Sequence, residues 1–153
     1  MSLIEQRLRD AGFEIPLAQP SVANYVAALV HDNLLFLSGQ LPFESGKLRY
    51  QGRVGEEIGI EDAKLSAQLC ALNAFGQAKA ALGDLDRIVR CIRIGGFVSC
   101  GQDFYQQPAV INGASDLVVT ALGEAGRHTR SAIGCSALPL NSATEIEMMF
   151  AIK

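Results

Sequence analysis

The chain has 153 residues, 49% of them hydrophobic and 19% charged, with a formal net charge of −3. This length and balance describe one folded domain rather than a disordered segment. The negative charge excludes broad nucleic-acid binding, and no apolar run approaches the roughly 20 residues of a membrane-spanning helix.

The opening MSLIEQRLRDAG is amphipathic and carries acidic residues, unlike a signal or transit peptide. Ser2 is positioned to cap a short helix over residues 2–11, with Leu3, Ile4 and Leu8 on one face and Gly12 as its stop. With the Pro-rich EIPLAQPS it makes residues 1–19 a helical extension of a single domain spanning 1–153. NYVAALVHDNLLFLSGQ predicts a hairpin around His31-Asp32-Asn33, where His31 is solvated. PFESGKLRYQGRVGEEIG predicts a surface loop with a short edge strand at Leu48–Tyr50.

IEDAKLSAQLCALNAFGQAKAALGD is the clearest helix. Ala63, Ala67, Cys70, Ala71, Ala74, Ala78 and Ala81 form its small-residue stripe, and Gly83 terminates it. RIVRCIRIGGFVSC predicts a central strand that Gly95-Gly96 should weaken or bulge. QQPAVINGASDLVVTALGEAG predicts a second long helix, with Pro108 in its first turn. Strands over residues 130–137 and 143–152 close the chain. The order implies an α+β fold, a mixed β-sheet with two main helices on one face.

Cys70, Cys91, Cys100 and Cys135 show no metal-ligand spacing, and only two histidines accompany them, so no metal site is expected. Their mostly apolar surroundings predict buried, reduced thiols and a cytoplasmic protein.

Alternation sorts the last two strands. Thr144, Ile146, Met148, Phe150 and Ile152 form a face for the helices, leaving Glu145 and Glu147 on the other. Arg130 shares a side with Ala132, Gly134 and Ser136, which suggests a hollow with a cation at its rim. A simple hairpin at Leu138–Ser142 sets Arg130 opposite Phe150 and Glu145 opposite Cys135, on the order of 16 Å apart at 3.3 Å per residue. Either these charges serve different sites or a second copy unites them. The first hairpin is apolar on both faces, with Ala27, Leu29, Leu35 and Leu37 on one set of alternate positions and Val26, Ala28, Val30, Leu34 and Phe36 on the other. Helices cover only one face, so homo-oligomerisation through the sheet is expected.

Several of these segments together resemble the RidA family, also called YjgF/YER057c/UK114, over nearly all of residues 20–152. The matching pieces are Tyr25, the run LSGQLP, Asn112, the pair RS at Arg130, and EIE at Glu145–Glu147. The resemblance implies a chorismate-mutase-like fold assembled as a homotrimer with pockets between subunits. It also implies hydrolysis of reactive 2-imino acids to 2-keto acids and ammonia, without a cofactor. By position, Arg130 matches the arginine that clamps a substrate carboxylate and Glu145 the glutamate that positions water. Tyr25, Ser38, Gly39 and Asn112 match substrate-binding residues. A cysteine and a glutamate that family members often carry after the arginine are replaced by Ala132 and Gly134, marking a divergent branch.

The chemistry suits these residue types. A guanidinium holds a carboxylate bidentately and stays charged. Burial and the neighbouring Glu147 would raise the pKa of Glu145 toward a working base, while backbone donors around Ser38-Gly39 would anchor the ligand. The residues also allow plainer readings: Tyr25 as a packed strand tyrosine, Asn112 as a surface residue beside Ser115, and His128 as a structural histidine or an additional acid or base. The alternative function is a non-catalytic trimer binding a small carboxylate or a protein partner. An endoribonuclease fits poorly, because it needs acid/base groups and cationic contacts to phosphates.

Overall fold

The computed structural model describes residues Met1–Lys153. Helix α1 (Leu3–Asp10) starts where Ser2 and Glu5 cap each other: the Ser2 hydroxyl accepts from the Glu5 amide at 3.1 Å, and the Glu5 carboxylate accepts from the Ser2 amide at 2.7 Å. Glu5 also takes a hydrogen bond from Lys79, and that contact foremost holds its carboxyl down at about 2. Ile4 and Leu8 are buried.

Strands β1 (Ala28–His31) and β2 (Leu34–Gln40) form the first hairpin, with Asp32 at φ +51° in the two-residue turn. That turn pairs Leu29 with Phe36 and Ala28 with Leu37. Odd positions of β1 therefore share a face with even positions of β2, which corrects the face sets read by parity alone. Leu35 and Leu37 are buried toward the helices, whereas Leu29 stands on the opposite face, 56% exposed. The loop that follows holds a small hairpin, β3 (Phe43–Glu44) and β4 (Lys47–Leu48), in place of a strand at Leu48–Tyr50. Tyr50 is a positive-φ residue, a conformation that does not extend a strand.

Helix α2 (Ile60–Leu82) ends at Gly83, φ +76°, and buries its alanine and cysteine stripe except for Ala81, which is exposed. Helix α3 (Gln107–Leu122) has Pro108 in its first turn. The two helices cross closely, because a β-carbon on Gly113 would strike the Lys64 carbonyl. Both cover one face of a five-stranded mixed sheet in the order β1-β2-β7-β5-β6, comprising also β5 (Ile88–Ser99), β6 (Thr129–Cys135) and β7 (Thr144–Ile152).

The last two strands are not a hairpin. β6 runs parallel to β5, and β7 lies antiparallel on the other side of β5. A parallel pair needs a crossover, and α3 supplies it between β5 and β6. The Pro139–Asn141 turn, with Leu140 and Asn141 at positive φ, then carries the chain past the end of β5, where the Ser99 amide donates to the Ala143 carbonyl at 2.9 Å.

Gly95-Gly96 makes no bulge either. The ladder runs unbroken through both, and the irregularities of β5 fall instead at Ile88/Arg90 and Cys91/Arg93. A β-carbon on Gly95 would meet the Glu147 side chain at 2.6 Å, and one on Gly96 would meet Ile111 at 2.6 Å. The pair admits neighbours on the two faces of the sheet.

Candidate functional site

Ladder partners fix which side chains share a face. Arg130 is level with Ile94, which is level with Met148 and, through β7, Leu37. Ile94, Met148 and Leu37 are buried under the helices, so Arg130 leaves β6 on the helix side. Its Nη1 donates to the Ser115 hydroxyl at 3.1 Å and its Nη2 to the Pro108 carbonyl at 3.3 Å. Both acceptors are neutral, and Arg130 forms no ion pair with any carboxylate of its own chain. Asn112 is exposed on α3, one turn after Pro108 and one before Ser115, along the same rim.

Glu145 is level with Phe97 and Ile133, on the open face. Within one protomer it therefore stands three rows from Arg130 and across the sheet, not opposite Cys135 as a hairpin would have it. Arg130 likewise is not opposite Phe150, whose neighbour on β5 is Cys91. Burial, and secondarily the charge of Glu147, raise the Glu145 pKa above the usual carboxylate range.

The Glu145 carboxylate lies over Gly39, in the space a β-carbon would take. Gly39 and Ser38 sit in an irregular stretch of β2, where the pairing with β7 shifts register between Leu37 and Gln40. The Ser38 hydroxyl donates to the Val26 carbonyl at 2.7 Å and its amide to Ala27 at 2.9 Å. Both donors of Ser38 are thus engaged within the chain. Tyr25, next to Val26, is 50% exposed.

The six residues singled out in the sequence thus fall into two groups. Tyr25, Ser38, Gly39 and Glu145 gather on β2, β7 and the segment before β1. Arg130 and Asn112 gather on the opposite edge strand and α3. One protomer does not join them.

One feature escaped the sequence reading and a second was read only in part. Ser115 holds Arg130 and is itself bonded to His128 Nε2 at 2.9 Å, while His128 Nδ1 meets the Gly126 carbonyl at 2.6 Å. The spacing signal was present, since Ser115 follows Asn112 by three helix positions and His128 precedes Arg130 by two. The second feature is the hollow. One of about 550 Å³ opens beside Gly134 and Ser136 as expected, but the cation lining it is Arg53, with Cys100, Phe104 and Gln107. Arg53 Nη2 donates to the Cys100 carbonyl at 2.7 Å. Another groove, of about 490 Å³ between Phe13, Ile15 and α2, lies apart from all of the residues singled out.

No three His, Cys, Asp or Glu side chains converge as a metal site requires. All four cysteines are free thiols.

Two helices on one face of this mixed sheet define a chorismate-mutase-like α+β domain. The chain belongs to the YjgF/chorismate mutase-like, putative endoribonuclease family, whose model matches residues 5–152. It is 35% identical over 147 residues to Protein TCP17 of Trypanosoma cruzi, covering 95% of this chain and 92% of that one. The crystal structure of Atu1372 from Agrobacterium tumefaciens, a protein described as of unknown function, is 47% identical with a TM-score of 0.93, covering 99% of this chain and 93% of that one. RidA from the Antarctic bacterium Psychrobacter sp. PAMC 21119 is 26% identical with a TM-score of 0.62, covering 88% and 94%. The backbone is thus nearer to Atu1372 than to that RidA.

Proposed function

We propose that this chain assembles as a cyclic homotrimer and hydrolyses reactive 2-imino acids to 2-keto acids and ammonia. The observation that carries this reading is the division of the site: an arginine without a carboxylate partner on one edge strand, and a carboxylate of raised pKa near the opposite side of the sheet. A head-to-tail interface lays the Arg130 edge of one copy against the Glu145 region of the next, and such interfaces close into rings. Leu29, Phe36, Met149, Phe97 and Ile133 on the open face supply the apolar surface that the ring buries.

In the assembled pocket, Arg130 takes the substrate carboxylate through the donors that Ser115 and Pro108 leave free. This fixes the C=N carbon beside a water. Glu145, less acidic than a free carboxylate, accepts a proton from that water as it attacks. Tyr25, Ser38, Gly39 and Asn112 shape the rim. The free thiols fit a reducing, cytoplasmic setting.

The test generates 2-iminobutanoate in situ and follows release of 2-oxobutanoate and ammonia. The protein should accelerate release, and Arg130→Ala should lose roughly 100-fold while sedimentation still reports a trimer. No acceleration with any of several 2-imino acids overturns the reading.

A non-catalytic trimer that binds a small carboxylate is the second reading. It is favoured by Ala132 and Gly134, which leave neither thiol nor carboxylate beside Arg130 on β6. Thermal stabilisation by 2-oxobutanoate without turnover supports it. Ribonuclease chemistry has little support: His31 is exposed at the end of β1, both ring nitrogens of His128 are engaged, and the chain is acidic.

A further inference from the structure

Arg130 does not reach its position by packing alone. Its guanidinium stands at the end of a chain of hydrogen bonds running back through Ser115 and His128 to the backbone at Gly126. The polarity of that chain follows from its last link. A carbonyl oxygen only accepts, so the imidazole must carry its proton on Nδ1, 2.6 Å from the Gly126 carbonyl. In the neutral ring Nε2 is then a bare lone pair. The Ser115 hydroxyl, 2.9 Å away, gives its proton to that lone pair, which leaves an oxygen lone pair free to accept from Arg130 Nη1 at 3.1 Å. Every group has one role, and none conflicts with its neighbour.

The placement of the three residues makes this chain rigid. Gly126 is buried and cannot gain a side chain, since a β-carbon there would meet the Val118 carbonyl at 2.6 Å. Ser115 sits mid-helix on α3 and Arg130 at the start of β6, so the relay ties the crossover helix to the strand it delivers. The Pro108 carbonyl, two helical turns before Ser115, takes Nη2 at 3.3 Å. Two fixed acceptors on one helix hold the guanidinium in plane. A guanidinium has five N–H donors, so three remain beyond those given to Ser115 and Pro108.

We propose that Ser115 and His128 are positioning residues for Arg130: the imidazole orients the Ser115 hydroxyl, and that hydroxyl aims the guanidinium at an anionic substrate. The assignment deepens the proposed imine chemistry and rests on it for its kinetic consequence, though the relay itself exists without substrate. Neither residue touches the reacting atoms. Loss of either weakens capture of the carboxylate and leaves the chemical step nearly unchanged, because the orientation of Arg130 is what they supply.

Spectra and kinetics on the full-length protein test this. A long-range ¹H–¹⁵N correlation spectrum should show His128 as the Nδ1–H tautomer. The Arg130 Nε–Hε resonance should be dispersed in the native protein and collapse toward the value of a free arginine in Ser115→Ala. For 2-iminobutanoate, Ser115→Ala and His128→Leu should each raise KM roughly five- to tenfold with kcat within about twofold. The double variant should be no worse than either single one, since the two act as one unit. Ser115→Thr, which keeps the hydroxyl, should restore the native KM and Arg130 resonance, and it carries the test if His128→Leu does not fold. An Nε2–H tautomer overturns the proposal, as does an Arg130 resonance unmoved by Ser115→Ala. If no variant, native included, turns over an imine, the deaminase reading fails while the spectra still decide the relay.

Discussion

The Glu145 carboxylate rests on the α-carbon of Gly39, occupying the place of a missing side chain. The contact ties the terminal strand to the irregular stretch of β2 and fixes where the carboxylate points. A methyl group at residue 39 must push it aside. Gly39→Ala should therefore cost roughly 1–3 kcal/mol of stability and lower activity. Adding Glu145→Ala should recover part of the stability, because the pair is in contact and their effects do not add. Denaturant unfolding of the two single variants and the double variant measures this, and additive losses would show that the contact does not matter.

The pKa of Glu145 leads to a second expectation. Burial first, and Glu147 second, raise it above its ordinary 4.5. A carboxyl whose pKa is higher folded than unfolded binds its proton more tightly in the native state. Its contribution to stability is complete below pH 4.5 and is lost as pH rises through the folded pKa. Glu145→Gln stays neutral throughout, so it should match the native protein in Tm near pH 4 and exceed it increasingly toward pH 7. A Tm difference that is constant with pH, or that grows in acid, contradicts a raised pKa.

The thiols should differ in reactivity. Burial pushes Cys70 and Cys91 each up to about 12, and Cys70 also lies against Thr144, its sulfur 3.5 Å from the Thr144 hydroxyl. Cys135 is only half-buried, although burial raises it as well. Because the thiolate is the nucleophile, iodoacetamide at pH 8 should modify Cys135 first and slowly, and should reach Cys70 and Cys91 only after unfolding. Mass spectrometry of timed digests reads the order. Early labelling of Cys70 in folded protein would refute it.

Much of the fold was legible because its signals are local. The Ser2 cap, the alanine stripe of α2, Pro108 in the first turn of α3 and the alternation of β7 each depend on neighbours a few positions away. What failed was non-local. Nothing in the sequence between Leu138 and Ser142 says that β5 lies between the strands on either side, since the crossover through α3 sets that arrangement. Gly95-Gly96 looked like a defect because the residues they make room for, Glu147 and Ile111, come from distant segments. The candidate site shows the same limit. Each residue type was readable, but the separation of Arg130 from Glu145 across the sheet follows from the ladder register, and the Ser115–His128 support follows from the packing of α3 against β6.

The open face gives the last expectation. Leu29 at one edge of the sheet and Ile133 at the other are 56% and 49% exposed in the protomer and share that face. In an isolated subunit, Lys at either position would cost little, since each already faces solvent. In a head-to-tail ring the two lie on complementary halves of one interface, and each loses its burial against the neighbour. Removing a buried Leu or Ile forfeits about 2 kcal/mol, roughly a 30-fold weakening at each interface. Leu29→Lys and Ile133→Lys should thus both shift the sedimenting species from trimer toward monomer at low micromolar concentration, with the far-ultraviolet circular dichroism unchanged. On the proposed assembly Arg130 and Glu145 meet across that interface, so imine hydrolysis should fall in step with the trimer fraction. Activity that survives in a monomeric Ile133→Lys would place a complete site within one protomer, contrary to the division of its residues across the sheet.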